Sequence, residues 1–406
     1  MTERQRVMPV FASSPAGGSD FSNYSDRICP PEETIRRVWP HLDALGITRV
    51  GRQTGLDRTG IPTWAAFRPN SKTLAGSQGK GLTDAAACAS AVMEAAEVAV
   101  AETPRGEKLR ASAESLSARD ERWFDPGKFL DRPFDPQQAI WWIEGQDLMT
   151  PSRIWVPADV VDMDGERSEL SGICKTTNGL ASGNSFDEAV FHALCELVER
   201  DGTSLWSLLN DDQALKTAFD PAEFADPMID AMLAEIATAG MRVTLFDHTS
   251  DIGIPVVMAV LGPADARWAS SLEIAAGYGA HPVSLRAAIR AITEAAQSRV
   301  TSIAASRDDI GAELFDEPAD DINVRMLMTP PVAKPPEGLS VGRPLRALVD
   351  WTLERLQTQA IDVCAVEISD DGLPFSVVKV VSQALEDRDA NLNWSPGVRC
   401  GRVMQQ

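Results

Sequence analysis

A glycine-rich loop that runs into a helix carrying glutamates at fixed steps is predicted three times in this chain, and the repetition constrains the fold more than any other feature. In the middle copy, Asn178-Gly179-Leu180-Ala181-Ser182-Gly183-Asn184 leads to Ser185, a residue suited to cap a helix N-terminus, and then to Phe186–Arg200. At roughly 100° per residue, Glu188, His192, Glu196, Glu199 and Arg200 share about one third of the circumference, while Val190, Leu194, Leu197 and Val198 take the other side. Like charges three and four apart cost about 0.2–0.5 kcal/mol per pair. Such a stripe is therefore mildly self-destabilising until something positive covers it, and a divalent cation would do so. In the first copy Gly79-Lys80-Gly81 precedes Ser90, Glu94 and Glu97; in the third Gly277-Tyr278-Gly279 precedes Arg290, Glu294 and Gln297. Each time a polar residue stands four before a glutamate, and Glu or Gln three after it. One glutamate stripe is usually just a solvated face. Three in the same order are poorly explained that way.

A second recurrence accompanies the first. Gly46–Gly51 and Thr63–Arg68 read as a hairpin across the turn Leu56–Pro62. Val243–Asp247 with Val256–Leu261, and Val363–Ile368 with Phe375–Val381, repeat it, each with Gly-Ile-Pro or Gly-Leu-Pro ahead of the returning strand. Three hairpins and three acidic helices predict duplicated units of strands and helices, an α/β (α+β) fold. Elsewhere, Thr34–Leu45 predicts a helix interrupted at Pro40, and Ala139–Gly145 with Arg153–Pro157 a further hairpin whose Trp141-Trp142 pair serves packing. Asp220–Ala239 predicts a helix starting just after Pro221, and Arg343–Gln357 an amphipathic helix. Ala101–Asp135 reads as loop or small peripheral helix, Asp308–Glu337 as an acidic, Pro-rich surface excursion, and residues 1–29 as a flexible lead-in.

The 406 residues allow two or three subdomains around substantial cores. A net charge of −21 argues against nucleic acid and anionic membrane surfaces as partners and favours basic or peptide ones. Six cysteines without a C-x-x-C pair predict reduced thiols and a cytoplasmic location; Cys88, Cys174 and Cys195 read as small buried hydrophobes rather than sulfur carriers. Four scattered histidines make no transition-metal motif. No apolar run approaches the roughly 20 residues that span a bilayer, and Met1–Asp20 lacks the apolar segment of a secretory signal.

Gly76-Ser77-Gln78-Gly79-Lys80-Gly81 lacks Walker A spacing, yet a Gly-flanked lysine at the mouth of a helix suits phosphate. Glu94, Glu97, Glu188, Glu196, Glu199 and Glu294 offer more carboxylates than one Mg²⁺ takes, which points to two or more ions bridging a polyphosphate. Lys80 and Arg200 are the natural cations for phosphate charge, and Asn184 and Gln297 the natural amides for a ribose or a further oxygen. Arg299 projects away from the Glu294 stripe on an ideal helix, so a structural ion pair and a functional contact read equally well.

Taken together, Gly79-Lys80-Gly81 with Ser90, Glu94 and Glu97, the segment Thr177–Arg200, and Ala295-Ala296-Gln297-Ser298-Arg299 resemble the YcaO family, over nearly the whole chain from about residue 30. The resemblance implies an unusual ATP fold and phosphorylation of a peptide backbone amide oxygen. That phosphorylation turns a poor leaving group into a good one after a nucleophile has attacked the carbonyl carbon, a neighbouring Cys, Ser or Thr side chain giving an azoline and delivered sulfide a thioamide. Carried over by position, Glu94, Glu97, Glu196, Glu199 and Glu294 would face Mg²⁺, with Lys80, Ser90, Asn184, Glu188, Arg200, Gln297 and Arg299 around ATP. Val98 departs from the fuller family form, in which an Arg often follows the second glutamate.

On this reading residues 30–385 are the catalytic domain and 386–406 a polar C-terminal tail. The chain ends Val403-Met404-Gln405-Gln406 without the Pro-x-Pro-x-Pro tail typical of azoline-forming members, and no peptide-clamp domain is fused ahead of residue 30. Gly46–Pro62 is similar to stand-alone members that work with a TfuA partner. The expectation is thioamidation of a precursor peptide with sulfur supplied by a TfuA-like protein, in a homodimer. Cyclodehydration to an azoline is the runner-up, and a non-catalytic ATP-binding scaffold the reading from another class.

Overall fold

The computed structural model describes residues 8–11, 24–267, 269–304, 317–389 and 391–404. Most of the predicted lead-in, the 308–316 part of the acidic excursion, and residues 405–406 lie outside the described residues. In chain order, the helix expected over Thr34–Leu45 is α1 (Pro31–Val38), which passes into one 3₁₀ turn at Trp39–His41 where Pro40 interrupts the α-helical hydrogen bonding. Strands β1 (Arg49–Arg52), β2 (Thr63–Phe67) and β3 (Gly76–Lys80) lead to α2 (Asp84–Ala101). Next come β4 (Lys108–Ala111), α3 (Ala113–Ser117), β5 (Ile140–Asp147), β6 (Ser152–Pro157) and α4 (Ala158–Val161), then β7 (Leu180–Gly183) and α5 (Phe186–Trp206). The chain continues through α6 (Asp211–Leu215), β8 (Ala218–Phe219), α7 (Pro227–Thr238), β9 (Met241–Asp247), β10 (Val256–Pro263) and β11 (Ala275–Ala280) to α8 (Ser284–Ala304). It ends with α9 (Asp321–Met328), α10 (Leu345–Thr358), β12 (Cys364–Glu367), β13 (Ser376–Val381) and α11 (Val398–Val403).

Among the described residues every pair of named strands is antiparallel, and the sheets contain one three-stranded pattern in triplicate: β1-β2-β3, β9-β10-β11 and β12-β13-β7. The register repeats as well. The first residue of each middle strand faces the last residue of the strand that feeds a glutamate helix: Thr63 with Lys80, Val256 with Ala280, Ser376 with Gly183. In the third unit the order is permuted, since β7 and α5 precede the β12-β13 hairpin along the chain.

The predicted glycine loops are strands. Close packing explains their glycines, because a Cβ on Gly79 would lie 2.1 Å from the Ala91 nitrogen, and one on Gly277 2.1 Å from the Ala295 nitrogen. Strand and helix backbones thus touch, which accounts for the alanines of α2 and α8. Thr83 and Ser185 cap α2 and α5 by accepting from Ala86 N at 3.1 Å and Glu188 N at 3.3 Å.

Each glutamate helix buries its apolar side in its own core. Val92 and Ala95 of α2 pack with Val377 and Val381; Leu194 and Val198 of α5 with Leu348, Val378 and Val380; Ile292 and Ala295 of α8 with Leu245, Val257 and Leu261. The remaining sides of the three helices are left to face one another. Three expectations are corrected. Ala101–Asp135 contains strand β4; the helix expected from Pro221 begins at Pro227, after a 3₁₀ turn at Pro221–Phe224; and the amphipathic helix expected from Arg343 begins at Leu345. Trp142 is buried in the core, whereas Trp141 is 44% exposed beneath Arg110. Among the described residues past 385 the chain is anchored by Arg399 on α11, buried against Asp201 of α5. No helix among the described residues is long and apolar enough to cross a membrane.

Candidate functional site

The polar sides of α2, α5 and α8 converge on one cavity of about 1200 Å³. Ser90, Glu94 and Glu97 reach it from α2, Glu196, Glu199 and Arg200 from α5, and Glu294 and Gln297 from α8. Lys80, at the end of β3, and Asn184, just after β7, complete the set. Residues from three distant parts of the chain thus share one space because each strand-helix unit delivers its stripe to the same side.

Glu188 and Arg299 are placed elsewhere. Glu188 is fully buried and accepts from Asn184 Nδ2 at 2.9 Å, Arg27 Nη1 at 2.8 Å and Ile28 N at 3.0 Å, so it anchors the segment ahead of α1 instead of lining the cavity. Arg299 is buried against Asp57, with Nε and Nη2 each at 3.2 Å from the carboxylate, and also donates to the Glu273 carbonyl. Of its two readings, the structural ion pair is the one with this geometry.

Of the carboxylates facing the cavity, Glu199 is buried, Glu97, Glu196 and Glu294 are half-buried, and Glu94 is exposed. Lys80 pairs with Glu294, and this pair, with Arg200 and Arg290 beside it, outweighs burial and holds the Glu294 carboxyl below its ordinary range. The others move the opposite way. Burial pushes Glu196 up to about 7, with Glu199 and Glu294 adding to the effect and Arg200 and Lys379 opposing it. Burial also raises Glu199, helped by Glu294, and raises Glu97 strongly, helped by Glu196 and Glu94. Glu199 Oε2 further accepts from Ala280 N at 3.1 Å, tying α5 to the end of β11.

Sequence reasoning gave no role to several residues at this site. Arg290 occupies the polar position four before Glu294; it lines the cavity and its Nε is buried without a hydrogen-bond partner. His192, at the matching position of α5, also lines the cavity with an unpartnered Nε2, and burial holds it neutral. Tyr24–Cys29 forms part of the wall, where Asp26 meets Arg286 Nη1 at 2.8 Å and His281 Nε2 at 3.4 Å. Arg290 and His192 were within reach of the repeated spacing. Nothing near Asp26 signalled its position. Of the cysteines read as buried, Cys88 and Cys195 are so, whereas Cys174 is half-buried.

Among the described residues no group of three or more His, Cys, Asp and Glu side chains is disposed to hold a metal ion by itself. The glutamates are interleaved with Lys80, Arg200 and Arg290 instead. This donor set fits Mg²⁺ that arrives with a polyphosphate, since Mg²⁺ takes one or two carboxylates alongside phosphate oxygens and water. The orphaned Arg290 and His192 nitrogens fit a polar ligand in the same space.

Comparison with known proteins agrees with this donor set. An uncharacterized protein in the tfuA 3' region of Rhizobium leguminosarum bv. trifolii is 39% identical over 410 residues, covering 95% of this chain and 94% of that one. An uncharacterized protein of Methanothermobacter thermautotrophicus is 35% identical, covering 88% and 94%. The fold is shared with YcaO from Methanopyrus kandleri bound with AMPPCP and Mg²⁺, at a TM-score of 0.71, 24% identity and coverage of 91% and 96%. It is shared too with a heterocyclase in complex with substrate and cofactor, at a TM-score of 0.73 and 20% identity; 89% of this chain is covered, but only 53% of that longer one. A family model described as YcaO cyclodehydratase, binding ATP and Mg²⁺, matches residues 78–386. The chain therefore belongs to the YcaO family of ATP-dependent peptide-modifying enzymes, with ATP and Mg²⁺ as its cofactors.

Proposed function

We propose that this protein activates a backbone amide of a ribosomally made precursor peptide by phosphorylation of the amide oxygen. Sulfide adds to the carbonyl carbon, the carbonyl oxygen is phosphorylated, and it departs as inorganic phosphate to leave a thioamide and ADP. The bound nucleotide supplies the phosphoryl group, and Mg²⁺ offsets the charge that develops on it. Lys80, Arg200 and Arg290 would hold phosphate oxygens, Glu94, Glu97, Glu196, Glu199 and Glu294 the cation, and Ser90, Asn184 and Gln297 the remaining polar edges of the nucleotide. The observation that carries this reading is the convergence of three separate glutamate helices and Lys80 on one cavity.

The choice of sulfur rests on the 39% identical relative in the tfuA 3' region, which supports a TfuA-type partner as the source. Sulfur from outside the chain also suits the buried Cys88 and Cys195, whose thiols burial pushes up to about 12. A second reading, cyclodehydration to an azoline, is favoured by the family description as a cyclodehydratase. The work would be cytoplasmic and the assembly a homodimer.

Mass spectrometry of the peptide after incubation with ATP, the partner and sulfide separates the products. Thioamidation adds the mass difference between sulfur and oxygen, whereas azoline formation removes one water. ATP hydrolysis measured on Glu196→Ala and Glu199→Ala tests the catalytic reading itself, and hydrolysis equal to that of the unaltered enzyme in both variants would leave only a nucleotide-binding scaffold.

A further inference from the structure

Lys379 is one of the few lysines any protein buries completely: it is 1% exposed, in the middle of β13. The strand alternates, with Val378 and Val380 packed into the α5 core and Val377 and Val381 into the α2 core. Lys379 takes the α2 side, where an aliphatic residue would continue the pattern. An ammonium in such a place is costly without strong partners. Its partners are the backbone carbonyls of Thr176 and Asn178, the latter at 2.8 Å. Both belong to the loop that enters β7, and Thr176 and Thr177 are part of the cavity wall. That loop is fixed from its other side as well, since Val380 N donates to the Gly179 carbonyl at 2.7 Å and Leu180 N to Thr177 O at 2.7 Å.

Burial pulls the Lys379 ammonium down to about 8, while Glu196, Asp387 and Glu97 favour its charge and Lys128 opposes it. Lys379 itself is not on the cavity wall. It is thus a buried cation off the cavity wall, coupled electrostatically to two of the site's carboxylates, one from α2 and one from α5.

We propose that Lys379 is a positioning residue of the nucleotide site. It holds the Thr176–Asn178 wall through two carbonyls and serves as the resident counter-cation of Glu97 and Glu196, so that the site favours a metal-nucleotide complex over a bare divalent cation. The inference rests on the ATP and Mg²⁺ reading of this cavity. A unit charge in a poorly solvated setting alters the cation affinity of a neighbouring carboxylate by about tenfold or more. Removing it should tighten binding of the metal alone and loosen the nucleotide complex.

The test uses the full chain with Mn²⁺ as a paramagnetic probe, titrated alone and with AMPPCP. The unaltered protein and Lys379→Arg, which keeps both the charge and the donors, bind Mn²⁺ weakly alone and tightly with AMPPCP. Lys379→Met binds Mn²⁺ alone about tenfold more tightly and Mn²⁺·AMPPCP about tenfold more weakly. Lys379→Gln can still donate to both carbonyls but carries no charge. It repeats the gain for Mn²⁺ alone while retaining most of the nucleotide affinity, and it carries the test if the methionine variant does not fold. Affinities for Mn²⁺ alone that stay within twofold of the unaltered protein, or that weaken, in the variants that fold overturn the proposal. Failure of the unaltered protein to bind Mn²⁺·AMPPCP would instead overturn the nucleotide reading beneath it.

Discussion

The upward shift of Glu196 makes a quantitative forecast for nucleotide binding. With its carboxyl near 7, about nine tenths of the protein carries an ionised Glu196 at pH 8, but only about one tenth does at pH 6. A cation needs the ionised form, so the affinity for Mg²⁺·AMPPCP should fall about tenfold from pH 8 to pH 6 through this group alone. Glu196→Gln resembles the protonated state at every pH. Calorimetric titrations of the two proteins should therefore give an affinity ratio that widens by about tenfold from pH 6 to pH 8. The nucleotide's own titration is common to both proteins and cancels from the ratio. Without ligand the sign reverses. A folded carboxyl raised from an ordinary 4.5 to about 7 binds its proton more tightly than the unfolded chain does, so its contribution is fully present below about 4.5 and is lost as the pH climbs to about 7. The unliganded enzyme should melt at progressively lower temperature across that window, and Glu196→Gln should flatten this decline. An affinity ratio that does not change between pH 6 and pH 8 would refute the reasoning.

Gly79→Ala places a methyl carbon 2.1 Å from one backbone atom of α2 and 2.2 Å from another, so it should cost about 1–3 kcal/mol in a denaturant titration; Gly51→Ala, with no atom within 4 Å of the new methyl, is the control and should cost far less. Arg299→Met strands the buried Asp57 carboxylate and should cost about 3–5 kcal/mol in unfolding, yet leave the Mg²⁺·AMPPCP affinity of the folded protein within about twofold; a large loss of affinity would return Arg299 to the nucleotide site. In native protein at pH 8 a thiol reagent should leave Cys88 and Cys195 unlabelled, and Cys88→Ala and Cys195→Ala should both retain sulfur transfer to the peptide, whereas loss of that product alone would make the cysteine a carrier.

How far the sequence foretold this site follows from the range of the forces involved. Glu94, Glu97, Glu196, Glu199 and Glu294 were legible because helical periodicity is local and strong, and because three copies of one spacing reinforced each other. Glu188 shares that periodicity but sits in the first turn of α5, where the carboxylate turns back to Asn184 N at 3.2 Å and Nδ2 at 2.9 Å. At a helix N-terminus unpaired donors compete for an acid, and a stripe drawn from angles alone does not register the competition. The glycine runs were misread as loops because a glycine required by close packing looks the same in sequence as one required by a turn. Strand β4 was missed since Lys108-Leu109-Arg110-Ala111 is short, half charged and peripheral, so its pairing with β5 decides its conformation more than its composition does.

The permuted third unit was beyond local reading because its defining contact joins β7 to β13, and strand pairing at that separation leaves no periodic trace. Its hairpin and its helix were both visible in the sequence; their partnership was not. The same distance separates the residues that lock the units together. Asp57, in the turn of the first hairpin, binds Arg299 on the helix of the second unit. Asp251, in the turn of the second hairpin, shares Arg399 with Asp201 on the helix of the third. A site built from three stripes needs such braces, because a small shift of one helix would separate carboxylates that must act on a common ligand. Ion pairs between the turn of one unit and the helix of the next hold that spacing from outside, and leave the cavity walls to the groups that bind.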